Sequence, residues 1–168
     1  MRGRAYHGAN WCAGEIGYLG LKGKRRQPLR VRSTGELDRA IGGAGIEAEW
    51  RRLLRAQRKT HSSLVGLRAT EIFDLAVDGH ALAAQVVVYT ARILADCLSD
   101  LSLALDPEVI VLGGGIGCHS ALRKGTEKML IQNEFARPRI LSSSLGTQAQ
   151  LYGAISVSLT AIEDTLIT

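Results

Sequence analysis

The sequence predicts a single α/β domain with few strands for its length. Residues 109–112 form a continuous aliphatic run, which is typical of a strand buried on both faces. Residues 80–105 are apolar on nearly every side, as in a central helix or in one that packs at an interface. Short strands and long helices alternate along the rest of the chain. With 168 residues, 46% of them hydrophobic, the chain has the length of one domain and can build a core.

The first third of the chain predicts short extended segments followed by a helix. Residues 15–21 alternate apolar residues with glycine and polar residues, which predicts a half-buried strand. Thr34 precedes acidic residues that suit the positive end of a helix dipole, so a short helix is expected to begin there and to end at Gly42. The elements expected here are an extended arm over 2–8 that lacks a hairpin partner, the strand over 15–21, a basic connector over 22–32 and this helix.

Proline and glycine mark the ends of the later helices. Pro107 disfavours helical geometry in the residue before it, so the long helix is expected to end near Leu105. Gly79 ends a shorter helix for which Thr70 is the expected cap. The elements expected in this part are helices over 46–59, 71–77, 80–105, 121–135 and 148–167, strands over 109–112 and 139–142, and a loop over 60–67.

Charge and cysteine content exclude some classes of function. The formal charge of +5 is concentrated in residues 22–32 and 51–59, and the absence of interleaved aromatic residues favours solvated surface over nucleic-acid contact. Cys12, Cys97 and Cys118 are too far apart for a local metal knuckle, so reduced thiols are expected. Cys97 fits a core position, whereas Cys118 is either a reactive thiol or a small filler.

No uninterrupted apolar stretch of the sequence is long enough to span a bilayer, and the first residues are not followed by the apolar core of a signal peptide. A cytoplasmic location without a membrane partner is therefore expected. The four histidines, His7, His61, His80 and His119, show no ligand spacing and are expected at the surface. Ser142–Ser144 lack the context of a nucleophile motif and are interpreted as a polar turn.

Three motifs together carry a resemblance to a known family. They are Gly-Ala-Asn at 8–10 with Ala-Gly-Glu-Ile-Gly at 13–17, the Leu-Asp-Pro-Glu-Val-Ile-Val-Leu-Gly-Gly-Gly segment at 105–115, and Ser-Leu-Gly at 144–146 followed by small residues at 149, 153 and 154. In this order they resemble the ROK family of bacterial sugar kinases and sugar-responsive transcriptional regulators. The resemblance implies an actin-like, ribonuclease-H-like ATPase fold, with residues 1–168 forming only its carboxyl-terminal lobe, truncated at the amino end.

The resemblance assigns sugar contacts to Glu15, Asn10 and Tyr18. Glu15 matches a family glutamate that hydrogen-bonds sugar hydroxyls, and a carboxylate can accept two such bonds in a fixed fork. Its alternative role is that of an exposed strand residue, while Asn10 is also a common turn former. Trp11 stands where the family tends to have a small residue, so it either narrows the sugar pocket or packs against the other lobe.

The resemblance also assigns a nucleotide contact to Gly113, Gly114 and Gly115. Glycines at the carboxyl end of a strand let a phosphate approach the backbone, at the edge where open α/β sheets bind ligands. ATP with magnesium is the cofactor implied. The alternative is a strand-to-helix turn that keeps its glycines for geometry alone.

Two departures from the family pattern are visible. Tyr18 replaces a histidine that binds structural zinc in the family, and Glu36 occupies the place of the last zinc cysteine, so no structural zinc is expected. The family's Asp-x-Gly-x-Thr phosphate motif and its catalytic Asn-Asp pair do not occur in the sequence, so no catalytic residue is assigned.

Three functional hypotheses follow. In the first, the chain is a sugar-kinase-like domain that binds a hexose or amino sugar and could bind ATP, but needs the amino-terminal lobe for catalysis. In the second, it is the sugar-sensing, dimerising domain of a ROK regulator that reaches DNA only through another domain. In the third, it is a truncated reading frame without function, whose unpaired sheet edge would promote self-association. A homo-oligomer or the missing lobe is the expected protein partner.

Overall fold

The computed structural model of the protein describes residues 5–21, 34–58, 63–131 and 138–166. Helices dominate these ranges, as the sequence predicts. The helices are α1 (Glu36–Ile41), α2 (Gly43–Ala56), α3 (Ala69–Val77), α4 (Ala81–Leu105), α5 (Gly114–Gly117), α6 (Ser120–Leu130) and α7 (Ala149–Leu166), and the strands are β1 (Val109–Leu112) and β2 (Arg139–Ser142). Short 3-10 turns lie at Ile16–Tyr18, Ser63–Gly66 and Gly146–Gln148.

The core is built around α4, the central helix that the sequence predicts. It packs against α1, α2, α3 and α6, and its buried side chains include Val86, Leu94 and Cys97. Burial raises the pKa of the Cys97 thiol, with a further contribution from the charge of Asp100, so the residue behaves as a small apolar side chain. The helix ends at Asp106, whose left-handed backbone precedes Pro107.

By length and composition alone α4 could cross a membrane, although Arg92, Asp96 and Asp100 interrupt its apolar sequence. Its most apolar window is, however, 56% buried inside the fold. Somewhat more than half of that window therefore serves as packing surface for the neighbouring helices.

The two described strands form a parallel pair, connected through α5 and α6, in which Ile110 lies opposite Ile140 and Leu112 opposite Ser142. Leu112 and Ile140 are buried, but Val111 on the opposite face is 58% exposed. The prediction that β1 is buried on both faces is wrong for the described fold, because helices cover one face only. Parallel pairing nevertheless brings the carboxyl ends of both strands to one edge.

Several local predictions need correction. Residues 15–21 contain a 3-10 turn at Ile16–Tyr18 and no strand, and Gly14, with a φ of +89°, turns the chain just before it. The caps also differ, since Gly35 rather than Thr34 precedes α1, and Thr70 lies inside α3. The amide of Arg68, which precedes α3, donates to Glu71 Oε2 at 2.7 Å.

The other boundaries agree with the sequence to within a few residues where they can be compared. Helix α2 begins at Gly43, three residues before the predicted start, because Gly42 alone separates it from α1. The predicted arm over 2–8, connector over 22–32, loop over 60–67 and helix end at 135 lie wholly or partly outside the described residues. The last helix, α7, matches its prediction, but residues 151–160 are all exposed.

Candidate functional site

The predicted nucleotide glycines lie at the carboxyl edge of the sheet. Gly113 follows Leu112 directly, and Gly114 opens α5 with a φ of +77°, a conformation that a side chain disfavours. All three glycines are exposed, and a methyl group added at Gly114 or Gly115 would meet no other atom within 4 Å. The space in front of these two residues is therefore open to a ligand.

The third sequence motif lies beside this glycine turn. The Ser143 amide donates to the Leu112 carbonyl at 2.8 Å, and Ser143 Oγ accepts from the Leu145 amide at 3.2 Å. The 3-10 turn that begins at Gly146 packs against α5. Two motifs that are thirty residues apart in the sequence thus form one edge of the fold, because β1 and β2 are parallel and in register.

Cys118 lies behind this edge and links its two strands. Its Sγ is 3.6 Å from the Leu112 carbonyl oxygen and 3.8 Å from the Ser143 carbonyl oxygen. A thiol is a weak donor of appropriate size for such a half-buried gap. This placement favours the filler interpretation of Cys118 over the reactive one.

His119 is not the surface residue that the sequence predicts. Its Nδ1 accepts from the Ala121 amide at 3.2 Å and caps α6, while Nε2 lies 3.1 Å from Asp74 Oδ1. This pattern assigns the proton to Nε2, which donates to Asp74. His80 caps α4 in the same way, accepting from the Ala83 amide at 3.3 Å. The only sequence signal was their position one residue before a helix, and histidine is not a preferred cap.

Of the predicted sugar residues, Asn10 lies on a loop bounded by two left-handed glycines, and Glu15 and Tyr18 follow this loop. Gly8 and Gly14 have φ values of +72° and +89°, and the Ala13 amide donates to the His7 carbonyl at 3.1 Å, which closes the loop. Asn10 and Glu15 are both exposed. Their side chains are therefore available to a ligand.

The turn that follows this loop packs directly against the start of α1. Gly35 is buried, and a methyl group built there would overlap the Gly17 carbonyl and lie 2.6 Å from the Tyr18 nitrogen. Only glycine permits this approach of two backbones. The contact places Glu15 and the half-buried Tyr18 on the rim of a cleft of about 450 Å³. The other lining residues are Ile16, Gly17, Thr34, Gly35, Leu37, Asp38, Ile41 and Gly42.

Asp38 is a cleft residue that sequence reasoning missed as a site residue. It lies on the first turn of α1 and brings a second exposed carboxylate to the cleft of Glu15. Its position near the start of a helix is a sufficient explanation for an acidic residue in the sequence. The periodicity of α1 alone therefore could not point to its place in the cleft.

Glu36 makes a structural link at the place where the family has a zinc cysteine. Its Oε2 accepts from the Leu21 amide at 3.3 Å, which ties the end of the loop to α1 across the undescribed connector. Within the described residues, no group of three or more His, Cys, Asp or Glu side chains is arranged to hold a metal ion. The expectation of no structural zinc stays a prediction.

The two candidate sites are separate and share one neighbour. The α1–α2 corner lines the cleft through Gly42. The next residue, Gly43, faces α5, since a methyl group added to it would lie 3.5 Å from Ile116 Cδ1. The structure thus brings Glu15 and Tyr18 together on one rim, and Gly113–Gly115 together at the sheet edge, with this corner between them. Asn10 lies on the loop before Glu15 and does not line the cleft.

Comparisons with known proteins place the chain in a family. The chain is 27% identical over 169 residues to an N-acetyl-D-glucosamine kinase of Photobacterium profundum, covering 94% of this chain and 53% of that kinase. A ROK family protein from Streptococcus pneumoniae, solved in complex with sucrose, superposes with a TM-score of 0.73 at 20% identity, covering 96% of this chain and 53% of that one. A ROK family glucokinase from Streptomyces griseus, in complex with glucose and AMPPNP, gives a TM-score of 0.65 at 22% identity, covering 86% and 51%.

The chain thus spans about half the length of the curated relatives and solved structures it matches. The structural likenesses confirm the predicted fold class, α/β with the topology of half of an actin-like ATPase. The model of the ROK family matches residues 1–161, which includes all three motifs. The chain belongs to the ROK family.

Proposed function

We propose that this chain is a sugar-kinase-like ROK domain that binds a hexose or amino sugar, and ATP with magnesium, without transferring phosphate on its own. The observation that carries the proposal is the seating of the Glu15 loop on α1 through Gly35. This seating gives an exposed carboxylate a defined place on the rim of a cleft of about 450 Å³, a volume within the usual range for small-molecule sites.

The chemistry of the cleft suits a polyhydroxylated ligand. A carboxylate accepts hydrogen bonds from two neighbouring hydroxyls, and Glu15 is supported in this role by Asp38 and by the phenol of Tyr18. Asn10 would add an amide contact from the loop outside the cleft. The relatives named as kinases of N-acetylglucosamine and glucose support a pyranose as the ligand.

The glycine turn fits the approach of a nucleotide. Gly114 and Gly115 present backbone without side chains at the carboxyl edge of two parallel strands, where nothing blocks a phosphate. Since no cluster of three potential metal ligands lies in the described part of the chain, magnesium would arrive bound to the nucleotide phosphates rather than in a protein cage. When bound, it would neutralise phosphate charge.

Phosphoryl transfer needs a positioned base in addition to these contacts. The sequence has no Asn-Asp pair to supply the family's catalytic aspartate. We therefore assign binding, and not turnover, to this chain. A cytoplasmic location and a homo-oligomer or second lobe as protein partner are part of the same proposal.

Ligand-observed NMR with glucose and N-acetylglucosamine tests the proposal on the unaltered chain. Saturation transfer to either sugar is expected. The saturation-transfer signal should fall by about tenfold or more in Glu15→Gln, because the amide lacks the two charged oxygen acceptors of the carboxylate. Glu108→Gln is the matched control, because Glu108 is an exposed carboxylate just before β1 and away from the cleft. Absence of binding to the unaltered chain, or equal binding by Glu15→Gln, would refute the sugar site; phosphorylation with ATP and magnesium would refute the lack of turnover.

A further inference from the structure

An exposed aromatic pair occupies the loop that carries Asn10. The indole of Trp11 is 77% exposed, although large aromatic side chains usually lie inside a fold. The ring of His7 stacks on it with centroids 4.5 Å apart and planes 27° apart. One face of the indole is thus supported, and the residue as a whole is open to solvent.

The backbone holds this pair in an unusual conformation. Trp11 has a φ of +57°, in the left-handed region that a bulky side chain rarely adopts. The Ala13–His7 hydrogen bond closes the loop around it, and the Cys12 thiol adds a contact to the Asn10 carbonyl at 3.1 Å. A glycine would adopt this turn without strain, so the turn itself gives no reason for tryptophan.

We propose that Trp11, backed by His7, is a stacking platform for one face of the sugar and sets the specificity of the proposed sugar site, on which this inference rests. A gluco-configured pyranose has equatorial hydroxyls and axial C–H groups, so a face of its ring is apolar and packs well on an aromatic ring. Its equatorial hydroxyls then project sideways and need polar acceptors. Glu15 offers one on the adjoining turn, since its amide donates to the carbonyl of Cys12, the residue after Trp11, at 3.4 Å. The combination selects a rigid pyranose over a flexible polyol that has the same hydroxyl groups.

The pairing with His7 makes the platform rigid before the ligand arrives. A tryptophan has two side-chain torsions, and stacking on a neighbouring ring restricts both, so less ordering entropy is lost on binding. His7 therefore contributes twice: its carbonyl accepts the hydrogen bond that closes the loop, and its ring stacks on the indole of Trp11. His7→Ala is therefore expected to weaken sugar binding by less than the loss of Trp11.

Glycine, alanine and phenylalanine variants of Trp11 separate recognition from structure. Trp11→Gly and Trp11→Ala should weaken binding of glucose and N-acetylglucosamine by about 3- to 10-fold, whereas Trp11→Phe should keep most of it. The melting temperature of Trp11→Gly should not fall, because glycine relieves the positive φ. A tryptophan with a purely structural role predicts the reverse: a lower melting temperature and unchanged affinity.

Fluorescence gives a readout at the residue itself, because the chain has two tryptophans and the second, Trp50, is fully buried. Sugar should change the emission of the unaltered chain and not that of Trp11→Phe, while sorbitol should change neither. In saturation transfer, the C–H protons of one pyranose face should receive most of the signal.

The outcomes distinguish this inference from the proposed function. Sugar binding that persists at full strength in Trp11→Gly, or saturation spread evenly over both faces of the pyranose, overturns the platform and leaves the Glu15 site standing. No sugar binding by the unaltered chain overturns the proposed function, and the platform with it. Binding of sorbitol as strongly as glucose overturns the role of Trp11 in specificity.

Discussion

Replacement of Gly35 by alanine should separate the Glu15 loop from α1. Gly35 has φ −64° and ψ 162°, which alanine adopts without strain, so the effect of the change is purely steric. The added methyl carbon would overlap the Gly17 carbonyl and approach the Tyr18 nitrogen to 2.6 Å. Both obstacles are backbone atoms, so no rotamer change can relieve the overlap.

The expected cost follows from what must move. Overpacking at a tight contact costs about 1–3 kcal/mol of unfolding free energy. For a domain of this length, the melting temperature falls by about 2–4 °C per kcal/mol, which gives a decrease of roughly 2–12 °C. If the loop moves away instead, the Leu21–Glu36 hydrogen bond at 3.3 Å opens and the cleft loses its rim. Sugar binding should then decline together with stability.

Urea unfolding followed by circular dichroism measures the effect, with Gly66→Ala as the matched control. Gly66 lies at the end of a 3-10 turn, and a methyl group there would meet nothing within 4 Å. The control should change the unfolding free energy by no more than about 0.5 kcal/mol. Equal stability of the two variants would show that the backbones of Gly17 and Gly35 do not approach as described, and the argument for the Glu15 cleft would fail.

Three further results are expected. His80→Ala should lower the unfolding free energy by about 1 kcal/mol, because α4 loses its cap, and His80→Asn should restore it; equal urea midpoints for both variants would argue against a capping role. In a thiol-labelling time course at pH 8, exposed Cys12 should react well before Cys97, whose pKa is raised by burial, and simultaneous labelling would contradict that burial. Gly114→Ala should lose about 1–2 kcal/mol of stability because of its positive φ, whereas Gly115→Ala should keep its stability and bind ATP more weakly; unchanged nucleotide titrations in Gly115→Ala would remove the case for a phosphate contact.

Elements set by local chemistry could be predicted from the sequence. The end of α4 before Pro107, the strands β1 and β2 and the break at Gly79 all follow from residues within or next to each element. The caps were harder, because His80 and His119 act through one ring nitrogen each, a role that histidine seldom takes. The solvent-exposed face of β1 could not be predicted either, since an aliphatic run does not show which of the strand's two faces other elements cover.

The candidate site shows most clearly why sequence patterns have a limited reach. The alternation of glycine and apolar residues over 15–21 matches a half-buried strand, yet the chain turns there and the Gly17 carbonyl lies against the backbone of Gly35. The spacing of residues within 15–21 carries no information about Gly35, which lies beyond a long connector in the sequence. Glu15 and Tyr18 could be selected because their motif was matched to a family, but their place on a shared rim depends on Gly35. A glycine in such a loop is therefore better tested by adding a methyl group at its partner than by removing the polar residues around it.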